Sequence, residues 1–287
     1  MSDTEDFFSD SLALFDNGDD VLPEPPTEVQ YGPIRSKIPE MEGKGFTMLA
    51  SQIFNSGLVM AEMVELGRIN ASGTRSKSFV QLQSDPHCRY ANTARCPSIV
   101  LELGASTSLP SLLASTLDPP PELILTTDYP DAQLIKYAKR FLSRIPFFHD
   151  IEISKATSRG THTLRGVLST LDDPSRGFTL VILSDTLWLH DEHSALLRTI
   201  SSALSHTEPA FTYFTTGHYA KRAIVNEFFK RIQDELGMEY EELVYPARWE
   251  GEMVVDVGMG RPRKDLDARK GAVWCFRAWR KGFKPVV

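Results

Sequence analysis

Residues 100–113 read VLELGASTSLPSLL. Val100 to Leu103 is an apolar run broken by Glu102. It meets Gly104, then a series of small residues, then LPSLL, which begins a helix. A strand, a glycine turn and a helix in that order is how α/β proteins build a pocket for a nucleotide-like cofactor beyond the carboxyl ends of their strands. Only Gly104 is a glycine, and Ser106 and Ser108 stand where such loops often carry more. A dinucleotide fingerprint needs three glycines, partly so that the backbone can approach a pyrophosphate. Counted from Gly104, its second and third places hold Ser106 and Leu109, and both fail. The spacing of a P-loop is absent as well.

Outward from this unit, strand and helix patterns alternate. ELILTTD (122–128) reads as a second strand, with a helix over Asp131–Ser143 after it. IEIS at 151–154 is a short third strand, and FTLVILSD at 178–185 a fourth. A helix over Glu192–Ser205 leads to AFTYFTT at 210–216, the fifth strand, and to an amphipathic helix over Ala220–Leu236. YEELVY and AVWCFRAW read as two more strands, joined by a glycine- and charge-rich connection over 246–270. Alternation of this kind predicts a mainly parallel, doubly wound sheet. Two late strands with no crossover helix between them pair antiparallel. Ahead of these, Thr47–Leu66 has apolar residues at helical spacing. The polar stretch 68–97 is too long to be an ordinary connection, so it is functional or disordered. Residues 1–40 are acidic and contain prolines, which predicts a disordered tail ahead of one domain over 41–287.

The chain has 287 residues, a formal charge of −7, and four Trp, eight Tyr and sixteen Phe, enough aromatic surface for a sizeable core. The negative balance predicts no direct nucleic-acid binding, although basic residues gather over 261–284. Cys88, Cys96 and Cys275 are odd in number and scattered, which speaks for a reducing compartment rather than a disulfide framework. With an acidic N-terminus and no stretch of transmembrane length, the expectation is a cytoplasmic monomer without a membrane anchor.

S-adenosylmethionine carries no phosphate and asks less of the loop than a dinucleotide does. It needs room for an amino-acid tail and a ribose, an acid for the ribose hydroxyls and an apolar slot for adenine. Gly104 allows close backbone approach. Glu102 is placed to meet the ammonium or to order the loop. Asp128 ends the second strand some way past the glycine turn, where an acid accepts from ribose hydroxyls; the alternative for Asp128 is a turn or cap residue before Pro130.

ELGASTSLPSLL, LTTDYPD and ILSDTLWLHDEH together resemble the lysine-methyltransferase-like branch of the seven-stranded (class I) S-adenosylmethionine-dependent methyltransferases. In fungi this branch is often called nicotinamide N-methyltransferase-like, and it includes the enzyme that methylates the N-terminus and an adjacent lysine of translation elongation factor 1A. The resemblance spans roughly 41–245. It implies a Rossmann-like seven-stranded sheet with a C-terminal antiparallel hairpin, S-adenosyl-L-methionine as cofactor, and a protein substrate such as a translation factor. Position by position, the tryptophan of the family's helix motif falls on Phe54, beside Asn55. Its glycine loop falls on Gly104, Ala105 and Ser106, its ribose acid on Asp128, and the residue before its late aspartate on Ser184. A second tryptophan falls near Arg165–Gly166. Phe54 keeps an aromatic face without an indole donor, and the serines add side chains where the family has glycine.

Methyl transfer needs a neutral amine in line with a sulfonium methyl. Lysine titrates near ~10.4 in model peptides, so the site must select or create the neutral form, and alignment supplies much of the rate. The related enzymes place a D-x-x-Y/F motif at the mouth of the fourth strand. Here it is Asp185-Thr186-Leu187-Trp188, with Asp185 to orient or accept from the amine and Trp188 to wall its channel, favouring a cation by its π face. The alternatives are a cap for Asp185 and plain core packing for Trp188. His190-Asp191-Glu192-His193 puts two histidines on one turn without a fixed third ligand, so no metal is predicted. His218 stands after the fifth strand as a rim residue or a simple turn. The predicted activity is N-methylation of a protein lysine or N-terminal amine. The rivals are a methyltransferase-fold binding module with weakened cofactor affinity, and a small-molecule methyltransferase.

Overall fold

The structure, a computed structural model, describes residues 28–37, 54–67, 99–117, 120–128, 166, 168–169, 176–206, 209–257 and 261–283. The chain opens with β1 (Glu28–Tyr31) and β2 (Ile34–Lys37), followed by helix α1 (Asn55–Glu65). The glycine unit is β3 (Ile99–Leu103) and α2 (Leu109–Ala114), and β4 (Leu123–Thr127) comes next. Then follow β5 (Leu180–Ser184), a 3-10 turn (His190–Glu192), α3 (His193–Ala203), β6 (Phe211–Gly217) and α4 (Arg222–Leu236). The C-terminal part holds β7 (Met238–Leu243), β8 (Val254–Asp256), β9 (Arg261–Pro262), α5 (Leu266–Gly271) and β10 (Val273–Arg280).

The main sheet runs β4-β3-β5-β6-β10-β7. The first three pairings are parallel. β10 then enters antiparallel between β6 and β7, with Phe276 opposite Phe214 on one side and Glu242 on the other. A parallel sheet that closes in an antiparallel C-terminal pair is thus borne out. The strand expected at 151–154, the helix at 131–143, the start of the expected helix at 47–53, the insert 68–97 and Arg165 lie outside the described residues.

Every residue of β3 and β6 is buried, as central strands covered on both faces require. Alternate side chains feed two cores. Leu101, Val181, Phe214 and Phe276 pack under α3 and α4 with Ile200, Val225, Phe228 and Phe229. In α4 the residues Val225, Phe228, Phe229 and Ile232 recur at helical spacing and are all buried, which makes one apolar stripe. Val100, Ile182, Tyr213 and Cys275 face the other way, onto Leu58, Met60 and Met63 of α1. Each such side chain contributes about 1.5–3 kcal/mol by leaving water.

Two stretches differ from the sequence reading. Residues 28–37, expected within the tail, form a hairpin. The connection 246–270 carries β8, β9 and α5, and the two together make a second sheet of order β2-β1-β8-β9. Strands this short leave little periodic signal. Among the described residues no helix is long and apolar enough to cross a membrane.

Candidate active site

The carboxyl ends of β4, β3, β5 and β6 lie side by side. Gly104 adopts φ +68 and is exposed. A Cβ there would come within 2.8 Å of the Thr186 methyl, so the turn after β3 and the turn after β5 touch at this point. Ala105 donates its amide to the Thr127 carbonyl at 3.0 Å. The Ser106 amide donates to Asp128 Oδ2 at 2.5 Å. Ser106 (φ 42) and Ser108 (φ 53) are both left-handed, a region glycine enters freely and other residues enter at a cost of about 1 kcal/mol. Ser108 is buried, and its hydroxyl has no hydrogen-bond partner among the described residues. Beneath the loop, Glu102 is buried and accepts from the Ser111 amide at 3.2 Å. Burial pushes its carboxyl up to about 8.

The β5 end holds the second cluster. Asp185 has φ 61, a conformation that a short polar side chain tolerates. Its Oδ1 accepts from Ser56 Oγ at 3.1 Å and from the Gly217 amide at 3.4 Å. Oδ2 is buried without a hydrogen-bond partner among the described residues. Burial pushes the carboxyl up to about 6, against the opposing influence of Tyr219, Gly217 and Ser56. Ser56 lies in the first turn of α1, and its carbonyl accepts from Thr215 Oγ1 of β6 at 2.9 Å. Phe54 is the residue before α1, its ring centroid 6.3 Å from that of Tyr219. Ser184 ends β5 opposite Thr215, and its buried hydroxyl is unpartnered among the described residues.

The far end of α1 is anchored. Glu62 Oε1 accepts from the amides of Glu250 and Gly251 at 2.6 and 3.2 Å and from Lys270 Nζ at 2.9 Å. Glu65 Oε2 accepts from the Tyr31 hydroxyl at 2.6 Å and the Glu252 amide at 3.0 Å. Two carboxylates three residues apart share one helix face. They bind the N-terminal hairpin and the segment before β8 to the helix whose other end covers Asp185.

The structure therefore brings Phe54, Gly104, Ala105, Ser106, Asp128, Ser184 and Asp185 to one edge of the sheet. Trp188 is half-buried and packs against the larger core cluster, which matches its packing alternative. His218 is exposed and turns to Trp274, with ring centroids 4.4 Å apart. His193 is buried, its Nε2 2.8 Å from the Leu187 carbonyl and its ring against Phe228. That nitrogen is engaged in holding the turn after β5. Ser56 and Tyr219 escaped the sequence reading as site residues. Ser56 lies 129 positions from its partner Asp185, and no local pattern announces such a contact.

These residues fit a sulfonium nucleoside better than a dinucleotide. Asp128 is an acid at the right strand end, and the hydroxyls of Ser184, at the end of β5, and Ser108, in the loop, are buried without partners among the described residues. Gly104 is the one glycine of the loop, and Ser106 and Ser108 put side chains where a pyrophosphate cradle needs bare backbone.

No family model matches the chain. Curated relatives do. The chain is 28% identical over 218 residues to the protein N-terminal and lysine N-methyltransferase EFM7 of Candida glabrata, covering 75% of this chain and 78% of that protein. It is 33% identical over 162 residues to the protein of the same name from Yarrowia lipolytica, covering 50% of this chain and 57% of that one. Among solved structures, Aeropyrum pernix fibrillarin with natively bound S-adenosyl-L-methionine aligns at a TM-score of 0.40 and 10% identity, over 63% of this chain and 66% of that one. The curated relatives bear out the methyltransferase resemblance carried by ELGASTSLPSLL, LTTDYPD and ILSDTLWLHDEH.

Proposed function

We propose that this chain is an S-adenosylmethionine-dependent N-methyltransferase acting on a protein lysine or N-terminal amine, with a translation factor as its substrate. The observation that carries the reading is Asp185. It is a buried carboxylate with one oxygen tied down and one without a geometric hydrogen-bond partner among the described residues, at the sheet edge that also holds the Asp128-tied glycine loop.

Asp128, Gly104, Ala105, Ser106, Ser184 and Phe54 would hold the cofactor, with Asp128 on its ribose and the Phe54 ring on an apolar face. The cofactor would supply an electrophilic sulfonium methyl there, and Asp185 would take the proton that the amine must lose. Asp185 is suited to that exchange. A carboxyl that titrates near 6 is ionised at neutral pH yet more basic than an ordinary aspartate. Burial of the site disfavours an ammonium, and Asp185 offers it a proton acceptor. Trp188 would line the approach to Asp185.

Incubation of cell lysate with the protein and isotope-labelled S-adenosylmethionine tests the reading, with D185N as control. A labelled protein band that the control loses supports it. A labelled small product, or no product despite cofactor binding, overturns it. The left-handed serines favour a second reading, a binding module with weakened cofactor affinity. Calorimetric titration with no heat at millimolar cofactor would select that one.

A further inference from the structure

Tyr219 is the second residue beyond β6, and its ring folds back over Gly217. A Cβ at Gly217 would stand 2.2 Å from Tyr219 Cε1 and 2.6 Å from Cδ1, so this fold-back demands glycine there. It carries the phenol inward, against Asp185 and Ser56. The hydroxyl is buried and makes no hydrogen bond of good geometry among the described residues. Asp185 Oδ2 is in the same condition. The phenol proton is directed to the Asp185 carboxylate, so the pair lacks a donor, and the phenol lone pairs beside the carboxylate mark a seat for a ligand that donates to both.

We propose that Tyr219 is a catalytic residue: its phenol oxygen and Asp185 Oδ2 together seat the substrate amine. The inference rests on the reading of the site as an amine methyltransferase. Asp185 Oδ2 and the phenol oxygen each accept one N–H of the neutral amine. The nitrogen then cannot turn, its lone pair faces away from both oxygens, and the proton that the methylated ammonium must lose passes to Asp185. The phenol suits the task because it stays neutral. Burial first, and the neighbouring carboxylate second, hold its ionisation well above the usual range. Among the described residues, the groups that act on Asp185 are the Tyr219 hydroxyl, the Gly217 amide and the Ser56 hydroxyl, all neutral. Those that act on Tyr219 are Asp185 and Ser56. Phe54 flanks the phenol from α1.

The test compares wild type with Tyr219→Phe, using recombinant elongation factor 1A with its native N-terminus as acceptor, over pH 5–9. Tyr219→Phe keeps the melting temperature and the S-adenosylmethionine Kd within about twofold. It lowers kcat/KM for the acceptor by about tenfold, the size of one lost hydrogen bond to a reacting group. It also moves the acid limb of the profile to higher pH, because the phenol no longer stabilises the Asp185 carboxylate. An unchanged kcat/KM with an unmoved limb overturns the role of Tyr219 and leaves the proposed function standing. Should the wild type bind cofactor and methylate no protein amine, the proposed function falls, and the seat is judged directly by 13C titration of the Asp185 carboxyl with n-butylammonium. A shift on adding the amine that Tyr219→Phe abolishes supports the seat, and no shift in the wild type overturns it.

Discussion

The Ser106 amide donates to Asp128 Oδ2 at 2.5 Å, across 22 residues of sequence. The acid proposed to hold a ribose is also the clamp on the glycine loop. The two roles separate in Asp128→Asn, whose amide oxygen still accepts from Ser106 but carries no charge. Asp128→Asn should keep the melting temperature within a few degrees and weaken S-adenosylmethionine binding more than tenfold by calorimetry. Asp128→Ala should lose both. Equal cofactor affinity in wild type and Asp128→Asn would remove Asp128 from the cofactor site.

The loop carries two serines in the left-handed region, at φ 42 and φ 53. Ser106→Gly and Ser108→Gly should each stabilise the fold by about 1 kcal/mol, a rise of roughly 2–4 °C in a domain of this size. Ser108→Gly also removes a buried hydroxyl with no partner among the described residues. Gly104→Ala goes the other way, since its φ is +68 and its Cβ would sit 2.8 Å from the Thr186 methyl. It should cost about 1–3 kcal/mol. Thermal scans of the three variants check the signs.

Glu102 is raised by burial from 4.5 to about 8. The folded state therefore holds a proton that the unfolded chain has released between those values. Its contribution to stability is complete below about pH 4.5, declines as pH rises, and is gone above about 8. Glu102→Gln is neutral throughout and still offers an oxygen to the Ser111 amide. Relative to wild type, its stability should rise with pH across that window and stay level outside it. Denaturant midpoints at pH 5, 6.5 and 8.5 read the difference, and a constant offset would refute the buried-acid account.

Lys270 and Glu62 form an ion pair at 2.8 Å with side chains 3% and 0% exposed. Removing one partner of a buried pair costs about 3–5 kcal/mol, chiefly for the charge left behind. Lys270→Ala and Glu62→Ala should each lower the melting temperature by roughly 10 °C. Their double variant should lose less than the sum, because neither charge is then left buried without its partner. Glu62→Ala should be the worse single change, since it also strands the amides of Glu250 and Gly251.

Much of the main sheet was legible from periodicity. VLEL, LILTT, VILS and FTYFTTG are apolar runs with few alternatives to a central strand, and α4 repeats its apolar residues at the helical interval. Asp128 and Asp185 stood out because an acid at the carboxyl end of a strand has a defined address. The hairpin at 28–37 and the small strands of 246–270 did not stand out. Each is too short to show a period, and each is held by partners far away in the chain, Tyr31 on Glu65 and Val29 opposite Asp256.

From the residues alone came the order of the central strands and their helices and the place of the glycine turn between β3 and α2. Both follow from backbone sterics and apolar spacing, which act over a few neighbours. Folding in three dimensions supplied the rest. It laid Ser56 against Asp185, turned Tyr219 over Gly217 and faced His218 to Trp274 rather than inward. These contacts depend on how α1 lies across β5 and β6, and its lie is set by carboxylates and amides nearly two hundred residues apart. Hydrogen bonds at that separation reward only the assembled chain, so no local pattern encodes them.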